Sequence, residues 1–200
     1  MDENNNTTLV PVEDYLTAGV HIGTKFKNGF TDKFIHRSRA DGLKIIDTAM
    51  VDERLDVLIK FLSKYEPSDF AIMGRRENAK KPLAMFGKLV GCNVFTGRYL
   101  PGKLTNVELE DFKEYKVVIV CDPLTDKNIL NEAFERGIIT IGFCDTNNRT
   151  AKLDLVIPIN NKGKKSLGLA FFLLAKHYLV NRGIIKEKDF KYTLEDFSDE

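Results

Sequence analysis

The chain has 200 residues, 43% hydrophobic and 30% charged, which is the balance of a globular protein and not of a disordered one. Thirty Lys and Arg against 29 Asp and Glu leave a formal charge of +1, which excludes a histone-like polycation but does not say where the charges sit. Cys92, Cys121 and Cys144 are odd in number, far apart and set in apolar runs, so they read as reduced core thiols and not as a zinc ribbon or redox pair.

The first ten residues, MDENNNTTLV, carry neither a basic nor an apolar stretch. No signal peptide is expected, the protein reads as soluble and intracellular, and residues 1–11 read as a flexible tail. Apolar runs rich in β-branched residues then alternate with helix-period segments. The first expected strand, 43–47, leads into a helix over 48–65 with Val51, Leu55, Leu58 and Leu62 on one face and Asp47 or Thr48 as N-cap. Strands at 69–74 and 93–95 flank a helix over 79–90, where Pro82 is tolerable only within the first turn. After a strand at 116–122, Thr125 is the expected cap of a helix over 126–136 that Gly137 ends. Strands at 138–144 and 154–159 precede a last helix over 164–181, whose apolar run 167–175 falls well short of the ~20 residues a membrane span requires.

Most of these strands are continuously apolar, as strands covered on both faces are. Their alternation with helices predicts right-handed βαβ crossovers. The expectation is an α/β fold: a three-layer α/β/α sandwich with a mainly parallel sheet of about five strands, in one domain over 12–183. Residues 184–200 turn acidic and read as a loosely held extension.

No machinery for catalysis is visible. The dinucleotide fingerprint G-x-G-x-x-G follows no candidate strand. Residues 97–103, GRYLPGK, fit G-x-x-x-x-G-K, but Leu104 stands where a P-loop needs Ser or Thr to hold Mg²⁺. His177 reads as a half-buried packing residue, His21 lies in a Gly-bounded loop, and His36 sits among Lys33, Arg37 and Arg39, company suited to RNA and not to acid–base work. Asp122 and Asp145 follow strands, where carboxylates serve as readily as turn and cap residues. No catalytic set, metal site, cofactor or small-molecule substrate is expected.

The charges are unevenly spread. Between residues 24 and 44, Lys25, Lys27, Lys33, Arg37, Arg39 and Lys44 face only Asp32 and Asp41, six against two, or +4. Between 75 and 103, Arg75, Arg76, Lys80, Lys81, Lys88, Arg98 and Lys103 face only Glu77, seven against one, or +6. Phe26, Phe30, Phe34, Phe95 and Tyr99 lie among them, and basic loops with aromatic neighbours are the footprint of a polyanion such as RNA. Lys162, Lys164 and Lys165 crowd the start of the last helix, where cations oppose the helix dipole unless an anion binds there with the free N–H groups.

Longer motifs carry a resemblance. YLTAGVHIGT (15–24), ADGL (40–43) leading into IID (45–47), GRYLPGKLTN (97–106), CDP (121–123), CDT (144–146) and VIPINNKG (156–163) occur in order over nearly the whole chain. Together they resemble the small-subunit ribosomal protein S2 family. Only residues 107–115 separate LTN from the next strand, where bacterial members carry a helical-hairpin insertion, and the extension of eukaryotic members is not seen, so the archaeal type is expected. Lys103 departs from the small polar residue expected there. The resemblance implies a flavodoxin-like domain that binds 16S rRNA beside other small-subunit ribosomal proteins, in the cytoplasm on the ribosome, with no cofactor, no catalysis and no membrane contact. The RNA-binding residues expected are Lys25, Lys27, Lys33, Arg37, Arg39, Arg75, Arg76, Arg98, Lys103, Lys162, Lys164 and Lys165. The alternative from another class is a phosphate-ligand α/β enzyme, such as a sugar-phosphate isomerase, using the loop at Gly163.

Overall fold

The computed structural model describes residues 8–110 and 112–198, so most of the N-terminal tail, together with Asp199 and Glu200, lies outside the described residues. Five strands, β3 (Phe70–Gly74), β4 (Asn93–Thr96), β5 (Val117–Val120), β6 (Ile139–Cys144) and β7 (Leu155–Pro158), form one sheet of order β4-β3-β5-β6-β7. Every neighbour pair in it is parallel. The register sets Ile72 opposite Val94 on one side and Ile119 on the other, and Phe143 opposite Ile157.

Strand alternation sends successive side chains into two separate cores. Phe70 and Ile72 face a layer of three helices, α2 (Thr48–Leu62), α3 (Glu77–Val90) and α5 (Lys164–Asn181), whose Leu55, Phe86 and Phe171 are fully buried. Ala71 and Met73 face the other way, where α4 (Lys127–Glu135) supplies Ile129 and Ala133. Tyr99, Leu104 and Tyr115, from the connection between β4 and β5, complete that second core. Among the described residues the layer on this side is therefore one helix, α4, with side chains from the β4–β5 connection packed beside it.

Four expectations are corrected. Residues 43–47 do form a strand, β2 (Lys44–Ile46), but it stands outside the main sheet and pairs antiparallel with β1 (Ile35–Ser38). Pro82 lies in the second turn of α3, which starts at Glu77; its missing N–H cannot bond the Asn78 carbonyl, and its buried ring offsets that loss with core contact. Asp126, not Thr125, is the N-cap of α4, and its carboxylate is used elsewhere. The acidic extension packs onto the fold: Phe197, in the short helix α6 (Leu194–Phe197), is fully buried, and the Phe172 ring meets Phe190 at 5.6 Å and Phe197 at 5.8 Å. Lys81 Nζ bonds the Ser198 carbonyl at 2.8 Å. At the other end, α1 (Val12–Thr17) is held by Tyr15, whose hydroxyl donates to Asp52 Oδ1 at 2.7 Å, and the Leu9 N–H donates to the same oxygen.

Candidate nucleic-acid interface

In a parallel sheet all strands point the same way, so the connections leaving their carboxyl ends share one edge. Arg75 and Arg76 follow β3, Arg98 and Lys103 follow β4, and Lys162 follows β7, with Lys164 and Lys165 opening α5. The loop 23–31, bearing Lys25 and Lys27, joins this edge because it is bonded to Thr146, two residues beyond β6. Thr146 Oγ1 accepts from the Thr24 N–H at 3.0 Å, and its carbonyl accepts from the Asn28 N–H at 3.0 Å and from Thr31 Oγ1 at 2.6 Å. Gly23 allows the approach: a Cβ there would lie 2.6 Å from Thr146 Cγ2. The β1–β2 hairpin, with Arg37 and Arg39, is tied to the same loop by Gly23 N–H to the Lys44 carbonyl and Lys44 N–H to the Thr24 carbonyl; Lys33 sits in the turn just before β1. Segments far apart in sequence thus meet along one edge.

Beneath the loops lies a buried polar floor. Asp122, 1% exposed, accepts from Arg76 Nε at 2.7 Å and from Arg76 Nη2, and from Asn148 Nδ2 at 2.8 Å. Asn148 Oδ1 accepts in turn from the Asp145 N–H at 2.8 Å and Asn161 Nδ2 at 3.0 Å. Asp145, also 1% exposed, is paired with Lys162 Nζ at 2.8 Å. Asp126 takes the backbone N–H groups of Arg75 and Asp122, both at 3.1 Å. Burial, with the Asp122 charge adding, pushes its carboxyl up to about 7 against the lowering effect of those two N–H bonds.

Two of the expected RNA-binding cations are also paired inside the fold. Arg76 and Lys162 pair with carboxylates that are costly to bury unpaired. The anion expected at the start of α5 is, for Lys162, the protein's own Asp145. The loop that the enzyme alternative uses at Gly163 is partly closed on itself: the N–H groups of Lys162 and Gly163 both donate to Asn160 Oδ1 at 3.1 Å.

Residues 97–104 take their shape from an anchor that the motif does not contain. Glu132, on α4, accepts from the Tyr99 hydroxyl at 2.9 Å, the Gly102 N–H at 2.8 Å and the Leu104 N–H at 3.4 Å. No local signal marks it, because the bonds span 28 to 33 residues. With Tyr99 and Leu104 buried, Arg98 is left exposed. It and Arg75 line a cleft of about 270 Å³ with Met73, Thr125 and Asp126, beside the point where the order β4-β3-β5 reverses the run of the chain.

Among the described residues, Lys25, Arg37, Arg75, Arg98, Lys164 and Lys165 are exposed and their charged groups have no carboxylate partner. Lys27 pairs with Asp32 at the surface, Arg39 reaches Asp41 only at 4.0 Å, Lys33 lies over the Phe34 ring and Lys103 over Phe95. His36 is exposed on the hairpin, and burial lowers the pKa of half-buried His177, with Lys176 adding to the shift. All three cysteines are free; burial pushes their thiols up, Cys92 to about 12, which suits inert packing residues. Among the described residues no helix is long and apolar enough to cross a membrane.

The family model for ribosomal protein S2 matches residues 108–179. Three archaeal proteins described as small ribosomal subunit protein uS2 are similar over far more of the chain. One from Methanococcus maripaludis is 48% identical over 94% of this chain and 84% of its own length. One from Thermoplasma acidophilum is 44% identical over 98% of both. One from Nanoarchaeum equitans is 43% identical over 95% of both. Similarity at that level along nearly the full length of each partner, over a sheet whose loops gather positive charge at one edge, means that the chain belongs to the ribosomal protein S2 (uS2) family.

Proposed function

We infer that this chain is a structural constituent of the small ribosomal subunit, binding 16S rRNA along the loop edge of its sheet beside other small-subunit proteins. Its place of work is then the ribosome in the cytoplasm. The observation that carries the reading is the convergence of cations from five separate connections on one edge, in a chain of this family. Lys25, Lys27, Lys33, Arg37, Arg39, Arg75, Arg98, Lys103, Lys164 and Lys165 meet RNA phosphates, while Arg76 and Lys162 hold the floor on which those loops rest. The role is architectural: the carboxylates under the edge are spent on backbone N–H groups and on those two cations.

Each phosphate neutralised contributes about −0.7 to −0.9 to the slope of log affinity against log salt, so several contacts give a slope of at least about −3. Filter binding of the purified protein to transcribed 16S rRNA across a salt series measures this, and affinity that is flat in salt refutes the electrostatic account. Sucrose-gradient sedimentation of lysate tests the wider reading. The protein travels with small subunits, and recovery only from the soluble fraction refutes it.

A further inference from the structure

The loop 24–31 shows the solvent two large rings that its own fold does not use. Phe26 is 76% exposed and Phe30 is 56% exposed. Among the described residues neither ring has an aromatic neighbour or a cation over it. Yet the backbone beneath them is held. The Phe26 carbonyl accepts from Thr146 Oγ1 at 2.9 Å, the Phe30 N–H reaches Asn28 Oδ1 at 3.4 Å, and Thr31 is buried against the Thr146 carbonyl. The rings are displayed on a built scaffold, so little ordering remains to be done when something covers them.

What covers them is indicated by their surroundings. Lys25, Lys27 and Lys33 lie on either side of the rings, and Asp32, already paired with Lys27, is the only acid in the stretch from 24 to 34. A partner that fits must alternate flat apolar faces with anions at the spacing of a few residues. Single-stranded or looped RNA does so, with bases that stack on aromatic side chains and phosphates that meet cations. A duplex offers the phosphates but keeps its base faces covered.

We propose that Phe26 and Phe30 are stacking platforms for unpaired bases of the subunit's RNA, with Lys25, Lys27 and Lys33 holding the flanking phosphates. This rests on the RNA-binding reading and adds where, and in which state of the RNA, recognition occurs. Phenylalanine has no hydrogen-bonding group, so the contact reads that a base is unstacked and not which base it is.

The test compares the wild type with the Phe26→Ala/Phe30→Ala and Phe26→Trp/Phe30→Trp proteins and with Lys25→Gln, binding transcribed 16S rRNA and, separately, a perfect RNA duplex, each across a salt series. Removing the rings weakens rRNA binding by about fivefold or more per ring with the salt slope unchanged, while duplex binding and melting temperature do not move. The Trp protein regains the lost affinity, and Lys25→Gln lowers the steepness of the slope by about 0.7 to 0.9. Unchanged rRNA affinity of the Ala protein, or an equal loss toward the duplex, overturns the stacking proposal while leaving electrostatic binding intact. Ring-dependent binding to phosphatidylserine vesicles without any ring dependence toward rRNA overturns it in favour of a lipid surface. A wild type that fails to bind rRNA at any salt overturns the RNA reading itself.

Discussion

Lys162 separates two physical accounts of the basic start of α5. If its charge served only the helix terminus, replacing it with Gln would relieve repulsion from the dipole and raise stability slightly. Its amine instead lies 2.8 Å from Asp145, whose side chain is 1% exposed while that of Lys162 is 35% exposed. Removing one partner of a fully enclosed pair costs about 3–5 kcal/mol, because the other charge is left buried. Here the lysine keeps part of its surface in water and the Thr146 N–H still donates to the carboxylate at 2.6 Å, so solvent screening discounts the cost to about 1–3 kcal/mol. In a chain of this length that lowers Tm by roughly 2–12 °C. Lys164→Gln and Lys165→Gln, at exposed positions on the same helix, leave Tm unchanged or slightly higher. Thermal and urea unfolding followed by circular dichroism measure all three, and Asp145→Asn in the Lys162→Gln protein recovers part of the loss. Equal stability of Lys162→Gln and wild type, or equal losses from all three lysines, refutes the assignment of Lys162 to Asp145.

Four further outcomes follow from the structure. Glu132→Ala removes three bonds to residues 97–104 at about 1 kcal/mol each; it lowers the urea midpoint and opens that loop to protease, and an unchanged cleavage pattern contradicts the anchor. The Asp126 carboxyl titrates near pH 7 by ¹³C NMR, raised from an ordinary 3.8 chiefly by burial. Between those values the folded chain binds a proton that the unfolded chain has released, so this group's share of stability declines as pH rises from about 4 to 7, and a midpoint near 4 refutes it. Phe197→Ala costs about 3 kcal/mol and exposes residues 184–198 to proteolysis. Gly168→Leu has the same effect from the other side, since a Cβ there already lies 3.1 Å from Ser198 Cβ and 3.2 Å from the Phe197 carbonyl.

The sheet was legible because both its faces are buried: Val117 to Val120 can read only as a covered strand, and the 18-residue α5 appears at its expected bounds. β1 was not legible, because Ile35-His36-Arg37-Ser38 has one apolar residue in four and pairs only within its hairpin. The strand at 44–46 has the same apolar signature as its neighbours in the main sheet, and composition does not say which sheet a strand joins. The docked C-terminal segment misled for a related reason: its charges are obvious, whereas the burial of Phe197 depends on a gap that Gly168 leaves some thirty residues earlier. Among the site residues the sign of the charge was visible but its allocation was not. Arg76 and Arg75 are adjacent and chemically alike, yet one is bound to Asp122 and the other is exposed at the mouth of a cleft.

The bonds between Thr146 and the loop 23–31 reach across 115 to 122 residues, so the first basic segment to leave the ribosome is among the last to take its shape. A growing or truncated chain can display the same lysines and phenylalanines, but until β6 is in place the Phe26 carbonyl has only the Thr24 hydroxyl and the Thr31 hydroxyl only the Asn28 carbonyl, without the bonds to Thr146 that fix the loop to the sheet. Because closing so long a loop must precede the contacts that reward it, the basic edge matures together with the sheet and not ahead of it. An unfinished chain therefore carries the charge of this edge without its shape, and only a completed sheet adds the fixed geometry.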